Sequence, residues 1–252
     1  MPDIKQNEPM LRARLTAVRN AVRRGSVAAD VGTDHAHLPI ALCLAEICPR
    51  VIASDVRDGP IASARENICR YGLQDRITVV KTDGLHGIEQ YDPDDILISG
   101  MGGELIVRIL SEAPFTRQSG KRLVLQPQTH AELVRAYLLE AGFRILSEAV
   151  AQDDGDRLYQ IITAEYDGIR RSVGATPEDR LMLLCGQPDM GQDATLYRAM
   201  LLRLAAIYEA RIAGKRRAEV NAEKDDTEED EALLGCLKHC ALALSDRKEH
   251  GK

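Results

Sequence analysis

A cluster of acidic and imidazole side chains follows a short apolar run near the start of the chain. The run Val27–Val31 consists of small and β-branched residues, and a helical pattern resumes at Leu38, which predicts a strand, a tight turn and a helix start. Such turns bind nucleotides in α/β proteins, because a glycine such as Gly32 lets the main chain approach a ligand and the amides at the start of the following helix point toward it. The side chains here that could carry chemistry are Asp30, Asp34 and His35.

The acids of this turn favour a positively charged cofactor. Asp30 followed by Gly32 resembles the first motif of Rossmann-like methyltransferases, although Asp34 and Ala36 occupy the later glycine positions. Asp34 would repel the pyrophosphate of a dinucleotide, whereas a sulfonium cofactor carries positive charge and no phosphate. We therefore expect S-adenosyl-L-methionine (SAM) rather than NAD. The cofactor-binding candidates are Asp30, Gly32, Asp34 and His35, and the alternative is an ordinary turn whose polar groups cap the helix.

Two more acids stand at the ends of the next two predicted strands. Asp55 lies in Val51–Val56, at the position that faces the cofactor ribose in a doubly wound sheet. Asp83 follows the strand Ile77–Lys81 and precedes Gly84. In methyltransferases this position receives the adenine amino group, and the alternative is a simple Asp-Gly turn. Asp55, Asp83 and Gly84 are therefore further cofactor-binding candidates.

Glycines and glutamines at the ends of the next two strands are candidates for the acceptor side. The predicted strand Asp95–Ser99 runs into Gly100, Met101 and Gly102, where small residues allow close approach of cofactor and substrate. We assign Gly100 and Met101 to the cofactor and Gly102 to the substrate. After the strand Leu123–Leu125, the residues Gln126, Pro127 and Gln128 are candidates for reading a base edge, or they only form loop hydrogen bonds. Thr129 and Glu132 predict a capping box for the next helix.

The net charge of −6 over 252 residues argues against wholesale nucleic-acid coating but permits a local basic face. Leu11–Arg24 predicts an amphipathic helix with five arginines and no acid. It is either a solvated helix or a phosphate-contacting patch whose candidate residues are Arg12, Arg19 and Arg23. No apolar run is long enough to span a bilayer, so we expect a cytoplasmic protein without a membrane partner.

We expect no metal site. The six cysteines indicate free thiols, and Cys236 and Cys240 lie four apart on a probable apolar helix face rather than forming a ligand set. The acidic run 153–156 predicts a hairpin turn between the strands Phe143–Ala149 and Leu158–Ala164 rather than a calcium loop.

The strand pattern ends near Tyr166, and the remainder predicts helices. A seam at Tyr197, Leu201, Leu204 and Tyr208 is repeated from Leu233 onward, which indicates an antiparallel helical hairpin joined by an acidic linker at 219–231. We expect a methyltransferase domain at 1–166 and a helical coiled-coil domain at 167–252. The hairpin serves packing or dimerisation, or it grips a large substrate through Arg198, Arg203, Arg211 and Lys215.

Taken together, five segments closely resemble one family. They are Asp-Val-Gly-Thr-Asp-His-Ala-His-Leu-Pro at 30–39, Asp-Gly-Pro at 58–60, Asp-Gly-Leu at 83–85, Gly-Met-Gly-Gly at 100–103 and Leu-Gln-Pro at 125–127. This combination is similar to the bacterial TrmK-like proteins, which methylate N1 of adenine 22 in tRNA. The resemblance covers nearly the whole chain and implies an α/β fold, a Rossmann-like class I methyltransferase domain with a C-terminal helical appendage, with SAM as cofactor and tRNA as partner.

The resemblance also implies a mechanism. Adenine N1 has an in-plane lone pair and no proton, so catalysis rests on positioning and on stabilising a cationic product. Asp34 is the first candidate for that carboxylate and His35 the second, against a helix-capping role for Asp34. The target base must leave any Watson–Crick pair. The alternatives are a methyltransferase acting on a small molecule and a noncatalytic adenine-nucleotide-binding module.

Overall fold

The computed structural model describes residues 9–153, 155–187, 193–217 and 224–249. The strands are β1 (Val27–Val31), β2 (Arg50–Asp55), β3 (Ile77–Lys81), β4 (Asp95–Gly102), β5 (Arg122–Thr129), β6 (Phe143–Gln152) and β7 (Leu158–Tyr166). The helices are α1 (Ala13–Ala21), α2 (His37–Leu44), α3 (Asp58–Arg70), α4 (Gly103–Ser111), α5 (Ala131–Ala141), α6 (Pro177–Cys185), α7 (Ala194–Arg217) and α8 (Lys224–Glu249).

The seven strands form one sheet in the order β3-β2-β1-β4-β5-β7-β6. The first five are parallel, while β7 pairs antiparallel with both β5 and β6. The strands β1, β2 and β3 follow one another toward one side of the sheet, and β4 and β5 lie on the other side of β1. The strand order therefore reverses between β1 and β4, and ligands bind at the carboxyl ends of the strands at such a switch point. The Rossmann-like α/β fold predicted from the sequence is confirmed, as is the β6–β7 hairpin.

The central strands are buried on both faces, so their side chains alternate between two cores. Leu97 and Val124 pack in the layer that contains α1, α2 and α3. Their neighbours Ile96 and Leu125 pack on the opposite face, against α4 and α5. Continuous apolar runs are typical of parallel strands covered by helices on both sides. The sheet is therefore a rigid platform that leaves only its edges and strand ends for chemistry.

The C-terminal helices form the predicted antiparallel hairpin. Tyr197 and Leu201 of α7 pack with Leu233 and Leu237 of α8, and all four side chains are buried. Val150 of β6 joins the same cluster, so the hairpin shares its core with the end of the sheet. The linker prediction at 219–231 was wrong for its second half because α8 begins at Lys224, and 219–223 lie outside the described residues.

A buried arginine fastens the first C-terminal helix to the sheet. Arg135 of α5 is 2% exposed, and its Nε donates to Glu148 Oε1 on β6 at 2.7 Å. Its Nη2 donates to Gln160 Oε1 on β7 at 2.6 Å, and its Nη1 donates to the carbonyl oxygen of Leu183 on α6 at 2.8 Å. Because a buried guanidinium is stable only when its donors are paired, this network fixes α6 against the sheet.

The basic side chains of the hairpin, which the sequence analysis proposed as contacts to a large substrate, are bonded to acceptors of the protein itself. Asp230 of α8 is fully buried, and its Oδ2 accepts from Arg211 Nε at 2.9 Å and from Lys215 Nζ at 2.8 Å. Arg198 Nε donates to the carbonyl oxygen of Ala241, and Arg203 Nη1 donates to that of Asp156. The seam pattern did not reveal these contacts, because the acid lies far along the chain from its partners.

Two local predictions at helix starts need correction. The capping box at Thr129 and Glu132 was wrong, because Thr129 ends β5 and α5 starts after His130, whose φ of 53° turns the chain.

The first helix ends at Ala21 rather than at Arg24, and its start is capped by a distant residue. Asp153, after β6, accepts the backbone N–H of Arg14 at 3.0 Å through Oδ1. Its side chain is 6% exposed. The predicted acidic run at 153–156 includes Asp154, which lies outside the described residues.

Replacing Asp153 with alanine is expected to destabilise the fold through α1. The change removes a buried helix cap, so we expect the free energy of unfolding to fall by about 1–2 kcal/mol. Urea unfolding followed by circular dichroism measures the loss. Glu66→Ala, which removes an exposed pair with Arg70, is the matched control and should change stability by less than about 0.5 kcal/mol. Equal effects of the two substitutions would contradict the capping role.

Candidate active site

A cleft of about 510 Å³ opens at the carboxyl ends of β1, β2, β3 and β4. Its volume is in the range of small-molecule and cofactor sites. The polar and glycine residues that line it are Arg14, Asp30, Gly32, Asp34, Asp55, Arg57, Thr82, Asp83, Gly84, Ser99, Gly100, Arg108 and Gln128. The sheet therefore brings together all the acids that the sequence placed at successive strand ends.

The turn after β1 is held against the end of β2. The backbone N–H groups of Gly32 and Thr33 both donate to the carbonyl oxygen of Ser54 at 2.8 Å. Gly32 has a φ of +77°, and a Cβ there would overlap the methyl group of Met101. These two amides therefore face the neighbouring strand, and they are not the amides of the following helix start that were expected to face a ligand. Gly32 instead allows the turn to close over the sheet.

Asp30 is the buried acid of the cleft. Its side chain lies at the end of β1, the residue is 4% exposed, and burial raises the pKa of its carboxyl from 3.8 to about 6, with the nearby Asp55 carboxylate adding to the rise. Desolvation disfavours the charged form of a carboxyl group. A cation placed beside Asp30 would reverse that penalty.

Asp55 and Asp83 are each paired with an arginine that sequence reasoning missed. Asp55 is 5% exposed, and its Oδ1 accepts from the backbone N–H of Arg57 at 2.8 Å and from Arg57 Nε at 3.2 Å. Asp83 is more open, and Arg108 of α4 donates to it through Nη2 at 3.2 Å. Arg57 lies two residues beyond its partner and could have been found from that spacing. No local signal connects Arg108 with Asp83.

Asp34 and His35 lie at the exposed mouth of this cleft region. The Asp34 side chain is 72% exposed, and its Oδ1 lies 3.4 Å from His35 Nε2. His35 and Ala36 both have positive φ angles, so non-glycine residues take the left-handed turn that precedes α2. The ring of His37 lies 5.7 Å from that of His35, and burial together with His35 lowers the pKa of His37.

The loop after β4 is supported from below by a buried amide. Gln126 is fully buried, and its Oε1 accepts the backbone N–H of Gly100 at 3.0 Å. Gln126 and Pro127 are therefore buried residues of β5 rather than parts of an open loop, while Gln128 is exposed and lines the cleft. Gly102 is not among the residues that line the cleft, and a Cβ at this position would point toward the hydroxyl group of Thr129 on β5.

The three arginines proposed to contact phosphate lie in different environments. Arg12 is exposed just before α1, and Arg19 is half-buried on that helix. Arg23 lies at the other end of the parallel strands, at the amino end of β4, where its Nε donates to the buried Asp95 at 2.7 Å. Arg23 is thus a structural partner of the first residue of β4. The arginine that does reach the cleft is Arg14, which nothing in the run of arginines distinguishes.

Comparisons with known proteins agree with this architecture. A family model described as "Methyltransferase domain" matches residues 11–162. The tRNA (adenine(22)-N(1))-methyltransferase of Bacillus subtilis is 39% identical over 176 residues, which cover 67% of this chain and 73% of the relative. The chain belongs to the tRNA (adenine-22-N1)-methyltransferase family.

Solved structures of similar proteins extend the likeness over nearly the whole chain. The m1A22 tRNA methyltransferase TrmK of Bacillus subtilis superposes with a TM-score of 0.75 at 25% identity, covering 94% of this chain and 99% of that one. A protein of Streptococcus pneumoniae in complex with SAM superposes with a TM-score of 0.73 at 29% identity, covering 89% and 100%. The family likeness therefore includes the C-terminal helices.

The residues of the cleft fit SAM as cofactor. Of the four aspartates in the cleft, Asp55 and Asp83 are paired with arginines, and Asp30 and Asp34 complement the positive charges of a sulfonium and an ammonium group. Asp55 has the position of a ribose acceptor.

Among the described residues, no cluster of three or more His, Cys, Asp or Glu side chains could hold a metal ion, and the six cysteines are free. No helix in the described ranges is long and apolar enough to cross a membrane.

The raised pKa of Asp30 predicts a pH-dependent stability cost. The folded protein holds this proton more tightly than the unfolded chain does, so the free energy of unfolding falls as pH rises from 3.8 toward about 6 and stays lowered above. We expect Asp30→Asn to be more stable than the parent by about 1–3 kcal/mol at about pH 8, with little difference near about pH 4.

Urea unfolding of both proteins across this pH range measures the difference between them. Asp75→Asn, at an exposed turn, is the control and should give a difference that does not change with pH. A constant difference for Asp30→Asn as well would contradict the assignment.

Proposed function

We propose that this chain transfers the methyl group of SAM to N1 of an adenine in tRNA, at position 22. The observation that carries the proposal is the set of acids at three successive strand ends, Asp30, Asp55 and Asp83, gathered in one cleft of a chain from this family. A tRNA substrate makes the cytoplasm the expected location and requires no membrane partner.

The cofactor would be held by the strand ends. Asp55 would accept from the ribose hydroxyls and Asp83 from the adenine amino group, while Asp30 would lie near positive charge. Gly84, Gly100 and Met101 would form the walls, and Gly32 would keep the turn closed. When bound, SAM supplies an electrophilic methyl group on a cationic sulfur. Arg57 and Arg108, paired with Asp55 and Asp83, hold those carboxylates in position.

Methyl transfer to adenine N1 requires no general base, because this nitrogen carries no proton. Adenine N1 attacks through an in-plane lone pair, and the ring becomes cationic as the bond forms. Asp34 would stabilise that charge from the cleft mouth, where its carboxylate is exposed, and His35 would orient it across the 3.4 Å contact. The larger contribution would be alignment of the reacting atoms, which can supply several kcal/mol.

The acceptor side would be formed by the loop after β4 and by two arginines near the start of the chain. Gln128 lines the cleft and would read the base edge, whereas the buried Gln126 and Pro127 would support the loop. Arg12 and Arg19 would contact phosphates near the target. Because Watson–Crick pairing hides N1, the adenine must be turned out of any stem before it reaches the cleft.

We also propose that the chain is divided functionally near residue 166. Residues 1–166 would carry the cofactor and the chemistry, and residues 167–252 would position the folded tRNA. The support is that the cleft lining comes from the first part alone, while α7 and α8 pack mainly with each other. The internal pairing of Arg211 and Lys215 favours recognition by the shape of the hairpin over recognition by its charge.

A methyl-transfer assay tests the reaction and its site together. We expect labelled methyl from SAM to enter an unmodified tRNA transcript, and nucleoside analysis to identify N1-methyladenosine. A transcript whose adenine 22 is replaced by guanine is the matched control and should accept no label. Failure to label any tRNA by a protein that binds the cofactor would overturn the tRNA assignment and favour a small-molecule acceptor.

Replacing Asp34 with asparagine tests its catalytic role. The change removes the charge and keeps the shape, so we expect kcat at saturating SAM and tRNA to fall by about 10- to 100-fold. Glutamate at the same position should recover part of the rate. A variant with normal kcat and weakened cofactor binding would show that Asp34 only helps to hold the cofactor.

A further inference from the structure

Of the phenylalanine and tyrosine rings, that of Tyr159 alone lies outside the apolar cores. The chain has two phenylalanines, seven tyrosines and no tryptophan, and all nine rings fall within the described residues. One ring packs in the layer of α1, α2 and α3, five pack in the layer of α4 and α5, and two pack in the helical hairpin. Tyr159 is half-buried on β7 and belongs to none of these clusters. Because tyrosine is enriched where proteins bind other molecules, this ring is a candidate for binding.

The register of β7 brings Tyr159 to the end of the sheet at which the cleft opens. β7 runs antiparallel to β5, and the last pair between them toward that end is Leu125 with Ile162. Tyr159 lies three residues beyond this pair, where β7 still pairs with β6. Gln128 lies three residues beyond the same pair on β5, and it lines the cleft. Both side chains therefore lie on the acceptor side of the cleft.

Arg14 connects the Tyr159 ring with the cleft. Its guanidinium carbon lies 6.0 Å from the centre of the ring, and the same side chain lines the cleft. Its Nη1 lies 3.5 Å from Oε1 of Gln126, the residue that supports the loop after β4. Its Nε lies 3.6 Å from Oδ2 of Asp153, so its charge is balanced from the β6–β7 hairpin. The ring thus lies beside the cleft mouth, next to a cation that is already paired.

An adenine that has left its stem needs a flat surface, which the lining of the cleft does not offer. Such a base has lost the contacts of its stacked neighbours, and proteins that hold unstacked bases replace them with aromatic side chains. Among the described residues, those that line the cleft include no aromatic side chain. The imidazoles of His35 and His37 follow β1 and lie 5.7 Å from each other. Tyr159 lies instead on the side of the strand that carries Gln128.

We propose that the ring of Tyr159 stacks on the target adenine and holds it at the mouth of the cleft, and that Arg14 and Asp153 position this ring. This inference rests on the proposed function, because it concerns the acceptor of that reaction. Gln128 contacts the edge of the base, and Tyr159 contacts its face. The start of β7 is thereby part of the acceptor site.

The chemistry of the reaction makes this contact stronger as it proceeds. When adenine N1 bonds to the methyl carbon, the carbon–sulfur bond breaks and its electron pair stays on sulfur, so positive charge passes from the sulfonium to the adenine ring. The face of a tyrosine ring carries partial negative charge and attracts a cation. Tyr159 therefore binds the transition state more tightly than the neutral base, which is the condition for raising kcat.

Two substitutions at one position test the role of the ring. Tyr159→Leu removes the ring and keeps an apolar side chain, so we expect kcat at saturating SAM and tRNA to fall by about 10- to 100-fold. Tyr159→Phe keeps the ring and should stay within about threefold of the parent. Transfer of labelled methyl to an unmodified tRNA transcript measures kcat. Both variants should bind S-adenosylhomocysteine with the parental Kd in isothermal titration calorimetry, because the ring is not among the cofactor-binding residues.

The matched control is the same substitution at the far end of β7. Tyr166 packs edge-on against Phe143 with the ring centres 5.4 Å apart, so Tyr166→Leu should lower the melting temperature but keep the parental kcat at a temperature where the protein is folded. The inference is overturned if Tyr159→Leu keeps the parental kcat, if Tyr159→Phe loses as much as Tyr159→Leu, or if the loss is matched by weaker binding of S-adenosylhomocysteine. A parent protein that labels no tRNA would instead show that the proposed function fails.

Discussion

Two hydrogen bonds from the turn after β1 to the last part of β2 set the geometry on which the cleft depends. Because the Gly32 and Thr33 amides share the Ser54 carbonyl oxygen, the turn is drawn over the sheet instead of projecting from it. Asp30 and Asp55, one on each side of this junction, are thereby buried close enough to influence each other. The amides at these two positions are thus used within the protein and are not offered to the cleft.

This arrangement explains the charge pattern of the cleft. The lining contains four aspartates together with one arginine from α1, one from α4 and one that immediately precedes α3. Buried charges are tolerated only when they are paired, which accounts for Arg57 next to Asp55. Asp30 differs, because burial and the neighbouring Asp55 carboxylate raise the pKa of its carboxyl more than the Thr33 side chain lowers it. Strongly shifted pKa values of this kind cluster at functional sites.

The sequence was sufficient for the features that are local. The strand ends at Asp30, Asp55 and Asp83 could be predicted because each acid lies at or just beyond the end of a predicted strand, and the parallel topology then brings the three acids to one end of the sheet. The two-helix hairpin was predictable from its repeated seam. The pairing of Arg108 with Asp83, and that of Arg14 with Asp153, were not predictable, since each depends on elements that meet only in the folded sheet. The prediction ended the strand at Leu125 and left Gln126 in the following segment, whereas the pairing of β5 with β4 continues past Pro127 to Thr129.

The arginine buried between the sheet and α6 has a consequence for the folding of the whole chain. Arg135 uses acceptors from β6, β7 and α6 at the same time, so losing the C-terminal helices would leave one of its buried N–H groups without its acceptor. The helical hairpin shares Val150 of the sheet in its own core. Because the two parts of the molecule share this network and part of a core, we expect them to unfold in a single transition rather than as two bodies with separate melting temperatures.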